Sequence, residues 1–229
     1  MPGDIMKLSI IIPVLNEADV LPRLLNSLQP LRRRGAEIIV ADGGSCDDSS
    51  LIARMGADAV IAAPAGRARQ MNAGAAVSNG MVLLFLHADT ILPGAADRLI
   101  ANALHQSRRC WGRFDVCIHG RPWMLWVVAA LMNRRSRLTG IATGDQAMFM
   151  TREAFETVGG FPEQPLMEDI ELSRRLLTLS RPACIAQRVV TSGRRWESRG
   201  VWRTIFLMWR LRWAYWRGVS PERLRESYR

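Results

Sequence analysis

Short apolar runs alternate with helical patterns across residues 7–106. "KLSIIIPVL" reads as a buried strand, and residues 17–29 follow as an amphipathic helix with Val20, Leu21, Leu24, Leu25 and Leu28 on one side. "AEIIVAD" is the next strand and 47–55 a short helix; "DAVIAA" is a third strand and 67–78 a helix; "MVLLFLHAD" is a fourth strand and 94–106 a helix. Strands that are apolar almost throughout, with helices between them, predict a parallel sheet covered on both faces. Right-handed crossovers then give a doubly wound α/β fold.

Ligands of such sheets sit at the C-terminal ends of the strands. Here those ends carry Pro13 to Glu17, Asp42-Gly43-Gly44-Ser45, Pro64 to Arg67, and His87-Ala88-Asp89. Each of these alone is an ordinary turn; four in succession at one edge point to a nucleotide site. Asp42 suits a base or ribose hydroxyl. Arg67, at the start of a helix, suits a diphosphate, because a helix N-terminus favours anions. Asp89 reads either as a turn residue before the next helix or as a hard oxygen ligand for a divalent metal on that diphosphate. No G-x-G-x-x-G follows the first strand and no G-x-x-x-x-G-K-[ST] occurs, which argues against a dinucleotide fold and a P-loop.

Beyond residue 110 the pattern changes. "CWGRFDVCI" alternates as an antiparallel strand would, and 121–135 are apolar and helical. "GDQAMFMTREAFETVGGF" reads as strand then helix, closed by Gly159-Gly160. "MEDIELSRRLLTL" opens on carboxylates and continues as a helix, and "ACIAQRVV" is a final strand.

The ordered set of motifs resembles family 2 glycosyltransferases of the GT-A fold. It comprises Ser9 to Glu17, Ala41 to Ser45, Gly66-Arg67-Ala68, the strand ending in Asp89, Gly144-Asp145-Gln146 and Glu168-Asp169. "GRARQMNAGA", "LHADT" and "GRRWE" are most similar to a small bacterial subgroup labelled arsenosugar-biosynthesis-like. The resemblance implies an inverting, single-displacement transfer from a nucleotide-diphospho-sugar to a hydroxyl acceptor. Pro13 and Glu17 would line the nucleotide pocket, Asp42 would contact the base, and Asp89 would bind the metal, Mn²⁺ or Mg²⁺. Asp145 and Gln146 would lie near the sugar or acceptor, and Asp169 would be the general base, with Glu168 beside it. Arg195-Trp196 would lie near the donor phosphates. His87 stands where many relatives carry Asp; imidazole suits Mg²⁺ poorly, so a ribose or phosphate contact is the expectation there. Residues 7–110 form the nucleotide-sugar half of one domain spanning 1–229, 111–190 the acceptor-side half, and 191–229 a basic C-terminal extension.

Two other classes compete. A non-catalytic nucleotide-sugar binder would not need Asp89 and Asp169. A sugar nucleotidyltransferase would place a basic Gly-rich loop after the first strand, where this chain has the acidic "PVLNEAD".

Charge singles out the tail. Eleven Arg and three Glu lie in the last 42 residues, so +8 of the net +10 sits there. Lys7 is the only lysine. Charge alone is the sole hint of nucleic acid, and none is expected as a partner. Within 201–217, Trp202, Ile205, Phe206, Trp209, Trp213 and Trp216 form one stripe flanked by Arg199, Arg203, Arg210 and Arg217, with Arg212 on the other side. That pattern fits either an in-plane helix on an anionic membrane, suited to a lipid-carried acceptor, or a helix docking its Trp face on the domain. No apolar stretch reaches the ~20 residues of a membrane span. The run "LSIIIPVL" is broken by Pro13 and does not read as a signal peptide. Four cysteines without a C-x-x-C pair fit a reducing, cytoplasmic setting.

Overall fold

The computed structural model describes residues 7–228, without the side chain of Tyr228. The elements run β1 (Leu8–Val14), α1 (Leu21–Arg33), β2 (Glu37–Asp42), α2 (Ser49–Gly56), β3 (Ala59–Ala62), α3 (Arg67–Val77), β4 (Val82–Phe85), β5 (Thr90–Ile91) and α4 (Ala96–Ser107). They continue with β6 (Trp111–His119), α5 (Met124–Thr139), a 3₁₀ turn (Gly144–Gln146), β7 (Phe149–Thr151), α6 (Arg152–Thr157), α7 (Glu168–Leu176) and β8 (Ala183–Ser192). Three helices close the chain: α8 (Arg194–Arg199), α9 (Val201–Trp216) and α10 (Pro221–Tyr228).

One eight-stranded sheet has the order β3-β2-β1-β4-β7-β6-β8-β5. Strands β3, β2, β1 and β4 are parallel. β7 is antiparallel to β4 and β6, and β5 to β8. Every residue of β1 and β4 is buried, as continuous apolar runs require. Below the sheet Ile10, Ile12 and Leu84 pack with Leu21, Leu24 and Leu28 of α1. On the opposite face Ile11, Leu83 and Phe85 meet Ala68, Met71 and Ala75 of α3 and Leu172 and Leu176 of α7. Helices on both faces match the α/β, mostly parallel expectation. α3 lies so close to β1 that a Cβ on Gly74 would come 2.5 Å from Ile11 Cγ2.

Some elements differ from the sequence reading. α1 passes through Pro30 rather than ending before it, because Pro30 is exposed while Leu31 is buried beyond it. The fourth strand stops at Phe85, so His87 and Asp89 lie in the turn after it. β6 is antiparallel to β7 but parallel to β8. Its alternation breaks at Arg113, a fully buried guanidinium paired with Asp115. α9 docks through a different face from the one the Trp pattern marks. Leu211 and Thr204 are buried, and Leu211 joins Met167, Ile170 and Leu224 in a small core against the start of α7. Ile205 turns inward, while Trp202, Phe206, Trp209, Trp213 and Trp216 are exposed. Docking of the Trp face on the domain is therefore ruled out.

Candidate active site

The strand ends converge as the topology demands. A cavity of about 270 Å³ is lined by Pro13 and Glu17 after β1, Arg67 at the start of α3, and His87 and Asp89 after β4. Asp145 of the 3₁₀ turn and Arg194, Arg195 and Trp196 of α8 complete it. A second cavity of about 430 Å³ shares Arg67, His87, Asp145, Arg195 and Trp196 with the first and extends past Glu168 and Asp169 between α5 and α9. The two meet at His87 and Asp145, whose Nδ1 and Oδ1 lie 3.2 Å apart. A carboxylate only accepts, so this bond needs the imidazole proton on Nδ1. Asp145 is held below the usual carboxylate range: burial opposes its charge, but His87, Arg67 and Arg195 outweigh burial. Gly144 makes room for this contact, since a Cβ there would overlap the His87 ring.

Asp169 opens α7. It accepts the Gly144 N–H through Oδ2 at 2.9 Å and its neighbour Ile170's N–H through Oδ1 at 2.7 Å. Those bonds favour the charged form, yet burial, with Asp145 adding to it, pushes its pKa up. Glu168 is buried at 7 % exposure, and burial and the Asp169 charge push it up as well. Two adjacent carboxyls with raised proton affinity line one cavity, a common arrangement at sites of acid–base work. Met167, just before them, has φ 67°, and Asn16 and Ala147 also adopt positive φ beside Glu17 and Gln146. Such backbone in non-glycine residues is costly and gathers at functional sites.

The cations on the first cavity crowd one another. Burial lowers the pKa of Arg195, and the charges of Arg67 and Arg199 lower it further. An anion placed among them would relieve that repulsion. Arg194 donates to Glu17 Oε2 at 3.0 Å and lies 3.6 Å from Asp89 Oδ2. Among the described residues no group of three or more His, Cys, Asp or Glu could hold a metal. Asp89 lines the cavity outside any such group, which fits an ion completing its shell with ligand oxygens and water rather than a protein cage.

Two predicted residues are placed differently. Asp42 ends β2 at the same edge but outside the lining of either cavity, and the Ser45 hydroxyl donates to its Oδ1 at 2.5 Å. Gln146 is fully buried and does not reach the acceptor side. Its Oε1 accepts the Thr143 N–H at 3.3 Å and its Nε2 donates to Asn133 Oδ1 at 3.3 Å. It shapes the turn that presents Asp145.

Arg135 escaped the sequence reading, and Arg194 entered it only as part of "GRRWE". Arg194 and Arg195 both line the first cavity, and of the two only Arg195 also lines the second. Arg135 lines the second cavity with Val128, Leu131 and Met132 of α5. The 3–4–7 spacing of these four positions was the available signal. Burial lowers Arg135's pKa, the Asp169 charge opposes that, and its Nε has no hydrogen-bond partner among the described residues.

The sequence pattern of the family described as Glycosyl transferase family 2 matches residues 9–159. No curated protein matches the chain. Similar solved structures include S. aureus TarS 1-349 in complex with UDP-GlcNAc, at TM-score 0.66 and 18% identity, covering 82% of this chain and 58% of that one. Mannosyltransferase PcManGT from Pyrobaculum calidifontis, in complex with GDP-Man and Mn²⁺, has TM-score 0.62 and 23% identity over 91% of this chain and 61% of that one. Glucosyl-3-phosphoglycerate synthase from Mycobacterium tuberculosis, in complex with Mn²⁺, UDP and glucosyl-3-phosphoglycerate, has TM-score 0.58 and 17% identity over 81% and 71%. The chain thus spans less than two thirds of the TarS and PcManGT chains.

Proposed function

The chain belongs to glycosyl transferase family 2, and on that premise we propose that it moves a sugar from a nucleotide-diphospho-sugar to an acceptor hydroxyl by one inverting displacement. The observation that carries this reading is the meeting of two unlike cavities at His87 and Asp145. The first alone holds Glu17, Asp89 and Arg194, the second alone holds Glu168 and Asp169, and Arg67 and Arg195 stand where they meet, ready for a diphosphate. UDP, UDP-GlcNAc and GDP-Man in the similar structures support a nucleotide-sugar donor.

In this reading the donor diphosphate lies against Arg67 and Arg195, with His87 on ribose or phosphate and Pro13, Glu17 and Trp196 bounding the nucleotide. Asp42 accepts the Ser45 hydroxyl at Oδ1 and keeps further acceptor sites for the base. Asp169 takes the proton of the attacking hydroxyl, held toward the cavity by the Gly144 N–H. Its raised proton affinity suits that work, because a base with a pKa nearer the working pH transfers protons more effectively. Asp145, kept charged by His87, lies on the sugar side of the junction. Direct displacement needs no covalent nucleophile. Asp89 would hold the divalent metal seen as Mn²⁺ with the two similar enzymes. Such an ion neutralises charge developing on a leaving diphosphate. Four free cysteines fit a cytoplasmic site of action. "LHADT" and "GRRWE" support the bacterial arsenosugar-biosynthesis-like subgroup, a label that fixes no acceptor.

The test is a thermal-shift panel of nucleoside diphosphates and their sugars, with and without Mn²⁺ or Mg²⁺. A ligand bound only by the folded state stabilises it by ~2.7 kcal/mol at a hundred times its Kd. The reading expects one nucleotide to stand out and its shift to grow with metal. No shift with any nucleotide sugar would reject it.

A further inference from the structure

We propose that the face made by α5 and α9 rests on an anionic lipid surface, and that the cavity between these helices admits a lipid-tailed acceptor to Asp169. The second half rests on the glycosyl-transfer reading; the first half does not.

The exposed side of α9 carries Trp202, Phe206, Trp209, Trp213 and Trp216, each at least 60 % exposed. α5 adds Leu131, 59 % exposed, beside Trp209 at the rim of the cavity. Scattered apolar residues on a surface need no explanation, but a contiguous aromatic field does. Trp concentrates where an apolar body meets a wet boundary. The helix docks on the protein by its other side, through Thr204 and Leu211, so no further packing within the described chain consumes the aromatic stripe.

Charge selects the occupant. α5 and α9 contain no acidic residue, while α9 carries Arg203, Arg210 and Arg212 and Arg199 and Arg217 flank it. Arg217 lies over the Trp213 ring at 5.1 Å, the amphipathic pairing expected at a headgroup layer. A second copy of the chain would bring two such Arg rows together, whereas anionic headgroups complement them. No helix among the described residues is long and apolar enough to cross a membrane, so contact would be in-plane.

The cavity is continuous with this face. Leu131 of α5 and Trp209 of α9 belong both to the exposed field and to its lining. Val128, Met132, Ile205 and Met208 line it further in, and Glu168, Asp169 and Arg135 stand at its polar end. An apolar channel that opens on a lipid-facing surface and closes on a candidate base fits an acceptor with an apolar tail and a hydroxyl-bearing head. Arg135 brings a guanidinium to that polar end.

The experiment uses the whole chain in flotation with vesicles of phosphatidylglycerol and phosphatidylcholine. Binding should be at least ~10-fold tighter with phosphatidylglycerol and weaken with salt. Trp202→Ala/Trp213→Ala/Trp216→Ala should lose it while keeping the thermal shift given by nucleoside diphosphate, which shows the variant folded. In wild type, brominated phosphatidylcholine mixed into the anionic vesicles should quench Trp fluorescence, a readout that needs no variant. Decyl glucoside, added below its micelle concentration as a tailed hydroxyl probe, should bind wild type and lose affinity in Met132→Trp, which fills the cavity. No flotation and no quenching at low salt would overturn the lipid face. So would a dimer in solution that these Trp substitutions split. Equal decyl glucoside binding by wild type and Met132→Trp would overturn the acceptor channel. Nucleotide shifts present in either case would show that these failures are separate from the glycosyl-transfer reading.

Discussion

The two cavities that meet at His87 and Asp145 are built differently. The donor side is walled by strand ends and by Arg67, Arg194 and Arg195, and its groups are charged. The cavity proposed for the acceptor is larger, about 430 Å³ against about 270 Å³, and its apolar wall includes Val128, Leu131 and Met132 of α5 and Ile205, Met208 and Trp209 of α9. Carboxylates of opposite tendency mark the junction: Asp145 is held charged by His87 and the arginines, while burial raises the proton affinity of Asp169 and Glu168. Divergent pKa values in neighbouring groups separate a charge-holding role from a proton-accepting one. One fold thus sets an arginine-lined cavity at its strand ends beside a slot with apolar walls from its helices.

Substitutions should separate the two sides. Among substitutions in the first cavity, Asp89→Ala should have the largest effect, a loss of ~10³-fold in metal-dependent turnover, as expected when several kcal/mol of charge stabilisation is removed. EDTA should reproduce it in wild type, and full activity in either experiment would remove the metal role. Arg67→Ala and Arg195→Ala should each weaken nucleoside diphosphate binding by ~10–100-fold, the scale of one charge-assisted hydrogen bond. Calorimetric titration would measure it, and unchanged affinity would place the diphosphate elsewhere.

The smallest effect concerns stability. Glu168 and Asp169 have folded-state pKa values above their unfolded values, so the folded chain binds more protons in that window. Their contribution is fully present below the ordinary carboxylate range and is lost as pH rises through the folded values. Glu168→Gln should therefore raise Tm by a few degrees near neutral pH and leave it unchanged in acid. A lower Tm near neutral pH would show that the charged carboxylate is stabilising.

The donor side was legible in the sequence because period and topology suffice there. Continuous apolar runs specify parallel strands, and parallel strands deliver their ends to one edge. Hence Pro13, Glu17, Arg67, His87 and Asp89 come together as expected. Single-residue detail was not legible: Gln146 and Asp145 are neighbours, but the tight 3₁₀ turn buries one and presents the other. The second cavity was less legible because α5 and α9, which both line it, are remote in sequence. The tail pattern contained two apolar stripes. Periodicity located the Trp stripe, but only the small core around Leu211 and Met167 reveals which stripe faces inward.

The central claim is that donor binding and proton removal belong to different cavities joined at Asp145. Asp169→Asn tests it most directly, with nucleotide-sugar Kd and transfer rate measured on the same preparation. The account predicts an unchanged Kd and a transfer rate reduced ~10²–10⁴-fold, the usual contribution of a positioned base. A transfer rate equal to wild type, or a Kd that rises as steeply as the rate falls, would contradict it.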